Sequence, residues 1–237
     1  MTTTAKGRRL IYQTFFRYIE TMGISSLLYP LTSFLLQEWE SLYKLIKKLS
    51  SFFIRERNLG IYEILDYETT LELSSTGKTA TFLKRQKVKF LQDNVISFQD
   101  YAWGEGEIFT DYRISPGIVA DRYLVGDRWN ILISLRNSKS RGDLEEFFIE
   151  STFKNSFLRE EEWQQIEIRH QTKHLRMTIV FPKQRRCKSA TIQQRGRHRS
   201  IELGNDHFGE LADGRQIVTW ETKNIEPLEV FTLRWRW

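Results

Sequence analysis

The 237-residue sequence predicts a mainly β protein with an amphipathic helical segment at its N-terminal end. Three features carry that expectation. Apolar residues recur at helical spacing up to Phe53, the period changes to two after Gly60, and short alternating runs separated by turn residues then continue to Trp237. Residues 1–60 are therefore expected as the helical segment. Residues 61–237 are expected as one all-β domain, an antiparallel β-sandwich or partly closed β-barrel of about ten strands.

Ile11, Phe15, Tyr18, Ile19 and Met22 predict a first helix, which Gly23 and the Ser25-Ser26 pair end. Pro30 suits the first turn of a second. Along that helix Leu31, Leu35, Trp39, Leu42, Ile46, Leu49 and Phe53 follow at steps of 4, 4, 3, 4, 3 and 4. They form one stripe about six turns long, with Glu38, Glu40, Lys44, Lys47 and Lys48 largely off it. Asn58 and Gly60 supply the stop. Leu35, Trp39, Leu42, Ile46, Leu49 and Phe53 are the expected interface of a coiled coil or bundle with a copy or a partner protein. Packing on the β domain and contact with a membrane surface are the alternatives.

Tyr67, Thr69, Leu71 and Leu73 alternate with Glu68, Thr70 and Glu72, and Ala80, Phe82, Val88 and Phe90 share one parity of the next run. With a turn over 74–78 these make a long hairpin. Further strands are expected at 108–114, 128–136, 144–153, 163–170, 174–181, 189–194, 215–222 and 229–237. Phe231, Leu233, Trp235 and Trp237 share a face of the last one. Four large apolar groups at a chain end call for burial by the domain or a partner.

Composition narrows the class. Hydrophobic residues make up 40% of the chain, enough for a sizeable core and against global disorder. Cys187 is the single cysteine, so no intramolecular disulfide forms, in keeping with a reducing, cytoplasmic-type compartment. The longest uncharged stretch, 21–37, is too short and too rich in Ser, Thr, Gly and Pro for a membrane span. Lys6, Arg8 and Arg9 precede no apolar signal core.

The net charge of +6 is concentrated: residues 183–200 carry seven basic and no acidic side chains. Arg185, Arg186, Lys188, Arg195, Arg197 and Arg199 flank the short run 189–194. If that run sits in a hairpin, they project together as a patch for nucleic-acid phosphates or an acidic protein. The segment lacks interleaved aromatics for base stacking. Asp100, Glu105, Glu107 and Asp111 surround Trp103 in a glycine-rich stretch. Paired carboxylates beside an aromatic suit a hydrolase or, more simply, a binding loop on a β scaffold. Trp103, Glu105, Glu107 and Asp111 are the candidate loop residues.

Other motifs carry less. Thr76-Gly77-Lys78-Thr79 resembles the tail of a phosphate-binding loop, but position 72 is Glu and the context is a hairpin. His170 and His174 are four apart but span a turn, so their imidazoles need not converge. Cys187 between Arg186 and Lys188 would be reactive if exposed and is otherwise an incidental thiol. The expected function is a non-enzymatic interaction module without metal or cofactor. Its helices serve oligomerisation or partner docking, and its β-sandwich loops serve ligand recognition. A nucleic-acid-binding protein using 183–199 is the alternative, and a hydrolase built on 100–111 a further one.

Overall fold

The computed structural model describes residues 60–102, 111–126, 128–196 and 198–237. The expected helices and their interface (Leu35, Trp39, Leu42, Ile46, Leu49, Phe53) lie outside the described residues, as do Trp103, Glu105, Glu107 and Arg197. What is described is mainly β.

The described residues hold fourteen strands, several more than the sequence suggests: β1 (Tyr62–Leu73), β2 (Thr79–Phe90), β3 (Val95–Ala102), β4 (Tyr112–Ser115), β5 (Ile118–Val125), β6 (Arg128–Lys139), β7 (Leu144–Lys154), β8 (Glu161–Glu167), β9 (Thr172–Phe181), β10 (Ser189–Gln194), β11 (Arg199–Glu202), β12 (Phe208–Glu210), β13 (Gln216–Ile225) and β14 (Val230–Arg236). They form three sheets, ordered β12-β13-β9-β1-β2-β7-β4, β11-β10-β14-β8 and β3-β6-β5. The sequence expectation of purely antiparallel pairing fails at one place. β1 and β9 run parallel, Tyr67 opposite Leu175 and Leu71 opposite Ile179. Both strands are central, and such a pair needs the long crossover that the intervening strands provide.

Alternation explains which faces meet. On β1, Tyr67, Leu71 and Leu73 turn inward as the period of two requires. A register shift between Ile64 and Asp66 puts Tyr62 and Ile64 on the same inner face despite their opposite parity. The inner face of the seven-stranded sheet meets both smaller sheets through aromatic pairs. Phe98 of β3 stacks on Phe147 of β7 with centroids 4.0 Å apart. Phe181 of β9 meets Trp235 of β14 edge-on at 6.0 Å, and Trp220 of β13 packs on Phe231 at 5.1 Å. One buried cluster thus draws on all three sheets.

The opposite face of the large sheet carries an ion-pair network, with Leu83, Leu144 and Phe148 exposed beside it. Arg85 bridges Asp66, Glu68 and Glu146, and Arg176 joins Glu68 to Glu221. These groups are half-exposed, so they keep that face wet rather than stabilise it strongly. The turn at Gly77 is a hairpin turn. Its φ is +71°, and a Cβ there would lie 1.7 Å from the Phe157 carbonyl oxygen. No phosphate-binding loop forms at Thr76-Gly77-Lys78.

Candidate functional site: a polar pocket where the sheets meet

The basic segment does not form one patch. β10 lies between β11 and β14, so Arg185, Arg186 and Lys188 sit beyond one end of it and Arg195 and Arg199 beyond the other. Six residues at about 3.3 Å each hold the two groups roughly 20 Å apart. A hairpin does form there, but its partner strand brings Arg199 beside Gln194 and not beside Arg185. The first group is also engaged by its own domain. The Arg185 guanidinium lies 3.6 Å from the Trp237 ring centroid and donates to Arg159 O. Arg186 donates to Glu210 at 2.8 Å. Lys188 donates to the Trp237 main-chain oxygen and lies 3.7 Å from Glu160.

The acidic cluster is divided too. Asp111 is exposed and accepts from Arg113 at 2.7 Å. Asp100 sits on the inward parity of β3, and its Oδ1 meets Lys84 Nζ at 2.5 Å, the two side chains only 4% and 3% exposed. Asp100 Oδ2 accepts from the Tyr112 hydroxyl at 2.9 Å, and Lys84 also donates to Tyr101 O. Burial pulls the Lys84 ammonium down, but Asp100 and Tyr67 more than offset it and hold Lys84 above its ordinary value. Burial pushes the Tyr67 and Tyr112 hydroxyls up, so both stay protonated. A lysine held charged against a carboxylate has no free pair at neutral pH with which to act as base or nucleophile.

The remaining titratable candidates are similarly occupied. His170 packs on Tyr62 with centroids 4.1 Å apart, and burial lowers its pKa to about 4. His174 lies in the polar face's ion-pair network, Nδ1 2.6 Å from Asp66, so the two imidazoles do not share a site. The Cys187 thiol is buried and donates to Ser189 O, and desolvation pushes it up to about 11. Its basic neighbours do not activate it, because their charges are directed elsewhere.

What the structure does bring together is a set that sequence inspection passes over. Where the three sheets meet, a cavity of about 70 Å³ is walled by Leu71, Phe82, Phe153 and Ile166 and carries Lys84, Glu162 and Gln164 among its polar groups. Glu162 and Gln164 point inward because β8 alternates with Ile166 and Ile168. Glu162 accepts the Arg159 amide at 2.6 Å. Gln164 is 9% exposed, and neither its Nε2 nor its Oε1 has a partner among the described residues. Thr69 Oγ1 and Trp235 Nε1 are likewise buried without partners among the described residues. An unsatisfied buried polar group costs about 1–3 kcal/mol, so a carboxamide with both ends free beside a cavity is a feature to explain.

The signal was present in the sequence. Lys84 and Gln86 occupy the inward parity between Phe82 and Val88, and counting back from Ile168 and Ile166 reaches Gln164 and Glu162. Polar residues in core positions of alternating strands mark a polar interior.

No protein-family model and no curated protein matches the sequence. Among solved structures, the chain is similar to a putative protease from Parabacteroides distasonis ATCC 8503, at 10% identity and a TM-score of 0.43, covering 75% of this chain and 40% of that one. It is also similar to an M1 zinc metallopeptidase from Deinococcus radiodurans, at 9% identity and a TM-score of 0.44, covering 73% and 42%. The chain thus spans about two fifths of the length of these structures. Similarity of this degree assigns neither chemistry nor partner to the chain.

Among the described residues the edge strand β5 presents Ile118, Tyr123, Leu124 and Val125 to solvent and is bonded only to β6. Its middle carries Asp121 and Arg122 beside a register shift at Val119/Asp121, features that blunt an edge against strand addition. Among the described residues no helix is long and apolar enough to cross a membrane.

Proposed function

We propose that this chain is a non-enzymatic interaction module whose β domain, arranged as packed sheets, holds a small ligand in the cavity where those sheets meet. The single observation that carries this is a cavity of about 70 Å³ between the sheets, with Leu71, Phe82, Phe153 and Ile166 as apolar walls and the buried Lys84, Glu162 and Gln164 among its lining residues. Pockets of this kind, apolar walls with a few convergent polar groups, are the common form of a ligand site. The ligand-recognition role that the sequence suggests for loops 103–111 is better supported here, on strands. Catalysis is less well supported, because Asp100 is committed to Lys84 and Tyr112 and the Cys187 thiol is protonated. The two-ended placement of the basic segment favours nucleic acid less than one contiguous patch would.

The test is ligand-observed NMR on the 237-residue chain with a set of three- to six-atom compounds, neutral, acidic and basic. Wild type is expected to bind at least one of them saturably. Ala102→Phe and Ser156→Phe, which place a ring at the cavity wall, are expected to abolish that binding while thermal melts show a folded protein. Binding to wild type by none of the compounds, or undiminished binding to both folded variants, would contradict the proposal.

The N-terminal stripe of Leu35, Trp39, Leu42, Ile46, Leu49 and Phe53 is proposed to dock on a second copy or a partner protein, and the single cysteine supports a cytoplasmic-type compartment. Leu42→Asp with Ile46→Asp places charges in that seam, where an unpaired charge is strongly unfavourable. Light scattering is expected to show an assembly of the wild type that the variant lacks, and an unchanged mass would contradict it.

A further inference from the structure

We infer that an open groove between the four-stranded sheet and the β3-β6-β5 sheet binds a small phosphate monoester. Arg128 and Arg195 take the phosphate, and Val125 and Leu228 take its carbon-bearing part. The inference does not depend on the inter-sheet cavity, with which the groove shares only Gln165 among its lining residues.

The sheets build the groove from three directions. Arg195 follows β10, and its amide donates to Val230 O at 2.9 Å, which sets it beside β14. Val230 in turn lies opposite Glu167 of β8. Phe231 and Ile166 are buried, so alternation turns Val230 and Glu167 to the outer face of their sheet. Arg128 opens β6 in the other small sheet and lies 3.6 Å from Glu167, Nη1 to Oε2. The groove so formed measures about 580 Å³. Arg128, Arg195 and Gln165 are among its polar groups, and Val125, Leu228 and Val230 are its apolar ones.

Charge selects the ligand class. Among the described residues Glu167 is the one carboxylate lining the groove, and Arg169 holds it at 2.8 Å, closer than Arg128 does. Glu229 has the opposite parity to Val230 and accepts from Gln194 at 3.4 Å. Arg195 is exposed, and its guanidinium has no ion pair or hydrogen bond among the described residues. Arg128 and Arg195 thus leave two positive charges to be matched. A phosphate monoester brings about two negative charges at neutral pH, where a carboxylate brings one. Guanidinium groups also suit phosphate oxygens in geometry. The apolar rim calls for an organic ester rather than the bare ion. Leu228 is 75% exposed although its φ is +74°, a conformation its amide bond to Ile168 O holds in place. Strained backbone of this kind is kept where it clamps something. Val125 is exposed beside it.

Butyl phosphate, inorganic phosphate and butyrate are the probes, titrated into the 237-residue chain by ligand-observed NMR at low salt. Butyl phosphate is expected to bind saturably, at about millimolar affinity or better, and about tenfold more tightly than either comparator. Arg195→Gln alters an exposed side chain, so it should melt like wild type and bind about tenfold more weakly. Adding Arg128→Gln should remove binding. Glu167→Gln takes away the competing carboxylate and should tighten it. Arg185→Gln with Arg186→Gln, at the far end of β10, should leave it unchanged, as should Ala102→Phe in the inter-sheet cavity. No binding to wild type, or undiminished binding to Arg195→Gln, would overturn the inference. An equal loss in the Arg185 and Arg186 variant would overturn the location. Inorganic phosphate or butyrate binding as tightly as butyl phosphate would overturn the ligand class.

Discussion

Removal of Trp235, Arg236 and Trp237 is expected to leave the β domain unfolded or insoluble. Trp235 and Trp237 are 1% and 3% exposed, and β14 is an interior strand, paired with β10 on one side and β8 on the other. The cut removes Trp235 from its contacts with Phe157 and Phe181 and Trp237 from Phe181. It also deprives the Lys188 amide of the Arg236 carbonyl and Arg185 of the ring beneath it. Truncating one large buried aromatic costs about 3–5 kcal/mol, and two such losses approach the whole stability of a domain, about 5–15 kcal/mol. The contrast is Arg234→Ala with Arg236→Ala. Arg234 bonds Gln193 and Arg236 reaches Glu160 at 3.5 Å, both near the surface, so the pair should cost about 1 kcal/mol. Thermal melts separate the two outcomes. A truncated chain that melts like its parent would show that the last turn of the strand does not hold the sheets together.

Lys84→Met alone is expected to destabilise the fold by about 3–5 kcal/mol, because Asp100 would stay buried without its counter-charge. Lys84→Met with Asp100→Leu should recover at least half of that loss, since a buried pair replaced by apolar groups of similar volume is often close to neutral. Urea midpoints of the single and double variants measure the coupling. Equal losses that simply add would mean that the pair is not a unit. The pH dependence follows from the same geometry. The folded pKa of Lys84 is raised above 10.5, so its contribution is fully present below about that pH and is lost as pH climbs through the folded value. Tyr67 acts in the same direction, because its hydroxyl ionises more readily in the unfolded chain. Stability should therefore fall on the alkaline side in wild type, and less steeply in the double variant.

Most strands were legible because their faces differ chemically. β10 at 189–194 and the end of β14 at Phe231, Leu233, Trp235 and Trp237 follow from alternation alone. Three of the strands that were missed have a physical reason. β5 is exposed on nearly every residue, so its sequence shows no inward parity to find. β3 carries a register shift between Val95 and Ser97, which breaks the period of two, and β12 spans only three residues. Leu65 at the β1 bulge hides the first two inward residues, Tyr62 and Ile64, in the wrong phase. The parallel pairing of β1 with β9 depends on which strands become neighbours across 108 residues, as Tyr67 and Leu175 do, and no local pattern encodes that.

The candidate site shows the opposite balance. Charge clusters attract notice in a sequence, yet Arg185, Arg186 and Lys188 are engaged by Trp237, Glu210 and Glu160, and Asp100 is turned into the core. The groups that converge are isolated polar residues on inward parities: Lys84 on β2, Asp100 on β3, and Glu162 and Gln164 on β8. They are inconspicuous because each stands among residues of ordinary composition. Only the parity of flanking apolar positions reveals them.

A high-resolution crystal structure of the 237-residue chain soaked in the compound that ligand-observed NMR finds to bind tests the central claim most directly. The expected result is an ordered molecule between Phe82, Phe153 and β8. Side chains filling the space between the sheets, with no bound molecule there, would contradict it.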